Sequence, residues 1–324
     1  MSEQSYVYAS GRVSVLLRNR LDAAGRERLL AASSLSEAVR ALADLGFSEQ
    51  VTEDYEQVVS LHVRKAYAFV REVSPEPGIT DCFLIRYDIQ NLKMLLKARC
   101  LLQAAQHLTP CGIYPVDQLQ HAVEERRYDF LPETIRQALY ALESRIAVHE
   151  DPLDIDVSLD KAMFQWIDES IAQTSAQSVK AYFQAKADIQ NGIMLLRVMR
   201  MGKSSTFFSQ FLLPGGSISQ ADWKDAFEHT QRMPQLLSRY GAKVAAAARA
   251  AVEGNALPGL EKAMDDYLLS LFADDRKSPE SIEPLIAYLL LREREAAAIR
   301  LILAGKANGF APEAVRERLR DLYA

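Results

Sequence analysis

Between residues 179 and 203 the chain reads VKAYFQAKADIQNGIMLLRVMRMGK. Here Ala181, Ala185, Asp188, Asn191 and Leu195 fall on one face at the 3.6-residue helical period. The stretch predicts a long helix that carries a carboxylate and an amide on an otherwise apolar stripe. Residues 81–103, DCFLIRYDIQNLKMLLKARCLLQ, repeat the design. Asp88 and Asn91 lie 100 positions before Asp188 and Asn191, all four inside the string DIQN, and Phe83 matches Phe183 in the same register. A third copy, IEPLIAYLLLREREAAAIRLILAGK at 282–306, puts Glu295 at the acidic position, Ala298 at the amide position and Arg300 where the first copy has Lys93. Long apolar helices recurring at such spacing predict a chain of about three related units.

The remaining pattern is also helical. An opening helix over 6–22 carries Tyr6, Val13, Leu16, Leu17 and Leu21 and breaks near Gly25; Ser33 and Ser34 introduce the next helix, which Gly46 ends. A helix over about 51–73 stops at VSPEPG, where Pro75, Pro77 and Gly78 read as a linker and a plausible hinge. Pro115 opens a helix with Asp117 in its first turn. Shorter similarities reinforce the repeat: GIYPVDQLQHAVEE at 112–125 resembles GSISQADWKDAFEH at 216–229, residues 155–172 resemble 259–273, and GFAPEAVRERLR at 309–320 begins a third version. No run alternates between turns as a strand would. The expectation is an all-α protein of three pseudo-threefold-related helical units, over 1–105, 106–204 and 205–324, with interlocked boundaries.

Composition narrows the function. A net charge of −5 over 324 residues argues against sequence-independent binding of nucleic acid. Cys82, Cys100 and Cys111 are odd in number and lack C-x-x-C spacing, which predicts reduced, packed thiols. The N-terminus shows no leader pattern, and no apolar run reaches membrane-spanning length.

Candidate chemistry is sparse. GKSS at 202–205 lacks the first glycine of a phosphate loop, because Arg197 occupies that position, so Gly202 reads as a helix C-cap. His62, His107, His121, His149 and His229 form no metal-ligand pair of the H-E-x-x-H or E-x-x-H type. No nucleophile motif is present. That leaves the repeated polar positions Asp88, Asn91, Lys93, Asp188, Asn191, Glu295 and Arg300. Burying an unpaired carboxylate is costly, so each acid needs a partner or a wet cavity. The preferred expectation is hydrogen bonding between neighbouring helices that fixes packing register, with catalysis as the alternative. No catalytic, cofactor-binding or metal residue is expected, and no cofactor.

These stretches together resemble the C subunit of the bacterial and archaeal V/A-type rotary ATPases, the counterpart of the d subunit in eukaryotic vacuolar enzymes. The resemblance rests on YVYASGRV, the paired YDIQNLKMLLKA and ADIQNGIMLLRV helices, LEKAMDDYL, and LLLREREAAAIRLILAGKANGFAPEAVRERL. It implies a funnel-like, non-catalytic rotor component that seats the central shaft, made of the D and F subunits, on the membrane proteolipid ring and transmits torque for proton or sodium transport. It further implies a peripheral position on the cytoplasmic side of the membrane, one copy per rotor, and a monomer when isolated. Ala298 departs from the Asn often found in the third copy, so a fully equivalent threefold polar arrangement is not expected. The rival readings are a helical-repeat adaptor, which would show shorter and more uniform repeats, and a helical carboxylate-dependent enzyme, which would show a converged pocket.

Overall fold

The structure, a computed structural model, describes residues 5–47, 54–146, 151–254, 257–272 and 279–320. Within them the chain forms α1 (Tyr6–Leu16), α2 (Ala23–Ala31), α3 (Leu35–Asp44), α4 (Tyr55–Val73), α5 (Pro77–Cys100), α6 (Val116–Glu125), α7 (Glu133–Ile146) and α8 (Pro152–Ile171). There follow α9 (Gln177–Arg200), α10 (Ser205–Ser209), α11 (Gln220–Glu228), α12 (Met233–Leu237), α13 (Ala242–Gly254), α14 (Leu257–Ser270), α15 (Glu283–Ala307) and α16 (Pro312–Arg318). No strand occurs among the described residues, so the all-helical expectation holds.

The helices start where side chains satisfy the first free backbone N–H groups. Ser5, Asp22, Ser34, Asp54, Ser204 and Ser219 each accept a hydrogen bond from the N–H three residues on. Asp22 corrects the opening helix. Its cap on Gly25 starts α2 there, so the chain breaks over 17–22 and Gly25 lies inside a helix. The proline linker is also shorter than expected. Pro77 and Gly78 belong to the first turn of α5, where a missing N–H costs nothing.

Gly46 and Gly202 end their helices in the left-handed conformation, at φ 78° and 64°. Lys203 N–H then bonds Val198 C=O at 3.2 Å, the wider of the two closing bonds of such a cap. Leu102 holds the same position at the end of α5, at φ 52°, with Gln103 N–H bonded to Ala98 C=O. An L side chain strains this backbone and glycine does not. We therefore expect Leu102→Gly to raise stability by about 1 kcal/mol, read as an upward shift of the denaturation midpoint.

The chain forms two compact units. One gathers residues 1–80 and 272–324, both ends of the chain. Its core is α15, apolar nearly all round, with Leu285, Ile286, Ile302 and Leu303 fully buried against α1–α4. The two ends are stitched together: Ser10 Oγ donates to Pro279 C=O at 2.9 Å, Lys306 Nζ to Leu30 C=O at 2.6 Å, and Arg316 pairs with Glu27 at 2.7 Å. The other unit, residues 81–271, is built on α5 and α9, with the α7–α8 and α13–α14 hairpins beside them. Phe83 of α5 meets Tyr182 and Phe183 of α9 at ring-centroid distances of 5.2 and 4.7 Å. Cys82 is buried here and its thiol is pushed up to about 12 by burial. It should resist alkylation at pH 8 in the folded protein and react on unfolding, as read by mass spectrometry.

Candidate functional site

The repeated polar residues act between a long helix and the loop that follows it. On α5, Asp88 is fully buried and accepts from the backbone N–H of Ile113 at 2.7 Å and of Tyr114 at 3.2 Å. One turn on, the Asn91 side chain pairs with the peptide of Thr109 in both directions. Its Nδ2 donates to Thr109 C=O at 2.8 Å and its Oδ1 accepts from Thr109 N–H at 2.9 Å. A loop without its own ladder is thereby given hydrogen-bond partners inside the protein, as buried backbone requires.

The second copy has the same design. Asp188, fully buried on α9, accepts from Ser217 N–H at 2.8 Å, Ile218 N–H at 3.2 Å and Ser217 Oγ at 2.9 Å. Tyr240 Oη also donates to it, and burial together with that bond pushes the Tyr240 phenol above its usual value. Asn191 exchanges two bonds with Leu213, at 3.1 and 2.8 Å. In both copies a glycine, Gly112 or Gly216, lies so close to the carboxylate that a Cβ there would overlap it. Neither glycine has a positive φ. Close approach of the backbone to the acid is what they supply. Beside the second clamp, Gly192 leaves room for the fully buried Trp223, whereas the corresponding position of the first copy is the buried Leu92.

The third copy solves the same problem with charge. Glu295 of α15 is fully buried and accepts from Leu21 N–H at 2.7 Å. Ala298 offers no amide, and Arg292 does that work one turn before the acid. Its guanidinium donates to Leu16 C=O at 2.7 Å, Asn19 C=O at 2.9 Å and Glu295 Oε2 at 2.7 Å. His62 Nε2 lies 3.5 Å from the same carboxylate oxygen. Burial works to raise the Glu295 pKa, but His62, Arg292 and the Leu21 N–H together hold it below the usual carboxylate range. The loop it grips, residues 16–21, comes from the opposite end of the chain. Arg292 and His62 escape a search for repeated Asp and Asn because they replace the amide with a different chemical type.

Lys93 and Arg300 pair with neighbouring helices and not with a loop. Lys93, nearly buried, donates to Asp160 of α8 at 2.6 Å. Arg300 pairs with Glu56 of α4 at 2.9 Å, with both side chains about half exposed. Arg197 reaches Glu261 of α14 in a similar way, at 3.2 Å. Each pair ties a long helix to a second helix, though exposed pairs of this kind contribute little, about 0–1 kcal/mol.

Chemically, the three acids are buried, and each already accepts at least two hydrogen bonds from the protein. Asp88 and Asp188 grip separate loops, and each of the three carboxylates serves its own clamp. Among the described residues no group of three His, Cys, Asp or Glu side chains could hold a metal ion. His121 and His229 are exposed and lie near Glu124 and Asp225. His107 belongs to the 101–115 loop, and His149 lies outside the described residues. Gly202 caps α9 with its N–H bonded to Met199 C=O, as the sequence predicts.

A family model described as ATP synthase (C/AC39) subunit matches residues 9–318. The chain is 26% identical over 286 residues to the C subunit of the V-type sodium ATPase of Enterococcus hirae, covering 84% of this chain and 83% of that protein. It is 22% identical over 346 residues to the C subunit of the A-type ATP synthase of Methanocaldococcus jannaschii, covering 98% and 86%. With the same protein of Thermococcus gammatolerans it shares 22% over 341 residues, covering 98% and 91%.

Proposed function

Because the chain belongs to the ATP synthase (C/AC39) subunit family, whose members are structural and not catalytic parts of a rotary ATPase, we propose that it is a rotor component of a V/A-type enzyme. It seats the central shaft, made of the D and F subunits, on the membrane proteolipid ring and carries torque between them for proton or sodium transport. Three similar helical units, assigned from the sequence to 1–105, 106–204 and 205–324, form a funnel about a pseudo-threefold axis. The unit holding Glu295 draws its clamped loop from residues 16–21. The protein lies on the cytoplasmic side of the membrane as a peripheral component, one copy per rotor, and is a monomer when purified alone. Among the described residues no helix is long and apolar enough to cross a membrane, in keeping with attachment through partners.

The observation that carries this reading is the trio of helix–loop clamps. A torque-bearing part needs rigidity between its two interfaces, and here each long helix is locked to a loop by buried bonds to backbone. Buried hydrogen-bond networks rigidify the elements they join, although in the third clamp Arg292 Nε and His62 Nε2 lack a hydrogen-bond partner among the described residues. Affinity purification of the tagged chain from gently solubilised membranes tests the assignment. The expected co-purifying set is the shaft proteins, a small apolar ring protein and the nucleotide-binding subunits. Their absence, from cells shown to express that ATPase, would reduce the kinship to fold and favour a helical adaptor.

A further inference from the structure

The cations that flank α8 share out its aspartates. Lys97 pairs with Asp156 at 2.6 Å, Lys93 with Asp160 at 2.6 Å and Arg145 with Asp154 at 2.7 Å. Lys161, on α8 itself, is left out. Its side chain is half-buried, yet it makes no hydrogen bond or ion pair among the described residues, and burial alone holds its ammonium below the usual lysine value. A cation taken partly out of water without a counter-charge is costly to keep.

Lys161 lines a cavity of about 770 Å3 in the unit of residues 81–271, between the end of α7, the first three turns of α8 and the loop after α10. Leu153, Val157 and Phe211 give it apolar walls. The Phe211 wall is held in place, because two residues on Leu213 exchanges its bonds with Asn191. The other charges in the lining are already engaged. Arg145 is locked to Asp154 and also donates to Ser158 Oγ at 2.7 Å. Asp151 caps α8 by accepting from Leu153 N–H at 2.9 Å. At 1.5 Å of rise per residue, Asp154 and Asp151 lie about 10 and about 15 Å along the helix from Lys161. Neither is near enough to neutralise it.

We propose that this cavity binds a small organic monoanion, a carboxylate with an apolar body, its head on the Lys161 ammonium and its body against Leu153, Val157 and Phe211. Charge selects the class. The lining offers one cation without a counter-charge, while Asp151 and Asp154 repel any further negative charge, so a nucleotide or other polyphosphate fits poorly. Size agrees, since cavities that take small ligands enclose about 300–1,000 Å3 and set a few polar groups among apolar walls. A carboxylate on Lys161 replaces its lost hydration with a charge-assisted hydrogen bond. None of these residues takes part in the three clamps, and the site does not depend on the rotor assignment.

Calorimetric titration of the purified full-length chain with decanoate, kept below its micelle-forming concentration, tests the site. Decanoate should bind with a stoichiometry of one per chain, and decanol and acetate should each bind more weakly on the order of tenfold or more, because each lacks one half of the recognition. Lys161→Met should weaken decanoate by a similar factor and leave decanol unchanged, while Lys161→Arg keeps most of the affinity. Since the wild-type amine is unpaired, Lys161→Met should unfold at the same urea concentration as wild type or a higher one, which separates lost binding from misfolding. Leu153→Asp, at a position 40% exposed, should weaken decanoate as well. No saturable binding, binding indifferent to Lys161→Met, or equal affinity for decanol and decanoate would overturn the proposal. So would shielding of Lys161 from acetic anhydride in the assembled ATPase but not by decanoate, which would assign the lysine to a partner's carboxylate.

Discussion

Gly216→Ala should be among the most damaging single substitutions in the chain, costing about 3 kcal/mol or more. Its added methyl would overlap the Asp188 carboxylate. Either the loop retreats or the acid turns away, and both outcomes separate a buried charge from the Ser217 and Ile218 N–H groups and the Tyr240 hydroxyl. A hydrogen bond to a charged group is worth about 1.5–3 kcal/mol, and losing more than one accounts for the size. Gly112→Ala should act in the same way on Asp88. Gly259 supplies the control. It lies within α14 with open space where a Cβ would go, so Gly259→Ala should be neutral or stabilise by up to about 1 kcal/mol. Thermal and urea denaturation of the three variants checks the order.

The second large effect is at the charged clamp. Glu295→Gln leaves the Arg292 guanidinium buried without its counter-charge and should cost about 3–5 kcal/mol. Arg292→Met should cost a similar amount by freeing the Leu16 and Asn19 carbonyls. The double variant should lose less than the sum, because the two residues share one network. The pH dependence has a definite sign. The folded pKa of Glu295 is lowered from its ordinary 4.5. Its contribution is therefore present above that value and lost as the pH falls through the lower, folded one. Glu295→Gln should flatten this acid limb of the stability curve. An equal acid limb in wild type and variant would show that Glu295 is not ionised in the fold.

The long helices are legible in the sequence because burial on most sides leaves a dense apolar run, and because polar residues inside such a run stand out. Asp88, Asn91, Asp188 and Asn191 are visible for that reason. Their partners are not, since a backbone N–H has no sequence signature. Gly112 and Gly216 do leave a trace, as the first residue of the similar strings GIYP and GSIS, but a glycine there reads equally well as a turn. The third clamp is harder still. Glu295 stands out at the repeated acidic position, but Arg292 falls outside the repeat, and both are buried because the loop they hold arrives from the other end of the chain. The opening segment misleads for a related reason. Leu16, Leu17 and Leu21 keep an apolar rhythm across a break that Asp22 sets by capping α2.

Rigidity at the clamps matters only if the chain carries force between a rotating shaft and a membrane ring. The most direct test is to measure ATP hydrolysis and ATP-driven ion uptake together, in membrane vesicles from cells with the chain deleted and then restored. Without the chain, ion uptake should disappear while the catalytic subunits released from the membrane still hydrolyse ATP, and restoring the chain should recover uptake. Ion uptake undiminished in the deletion strain would contradict the assignment of this chain as the coupling between shaft and ring.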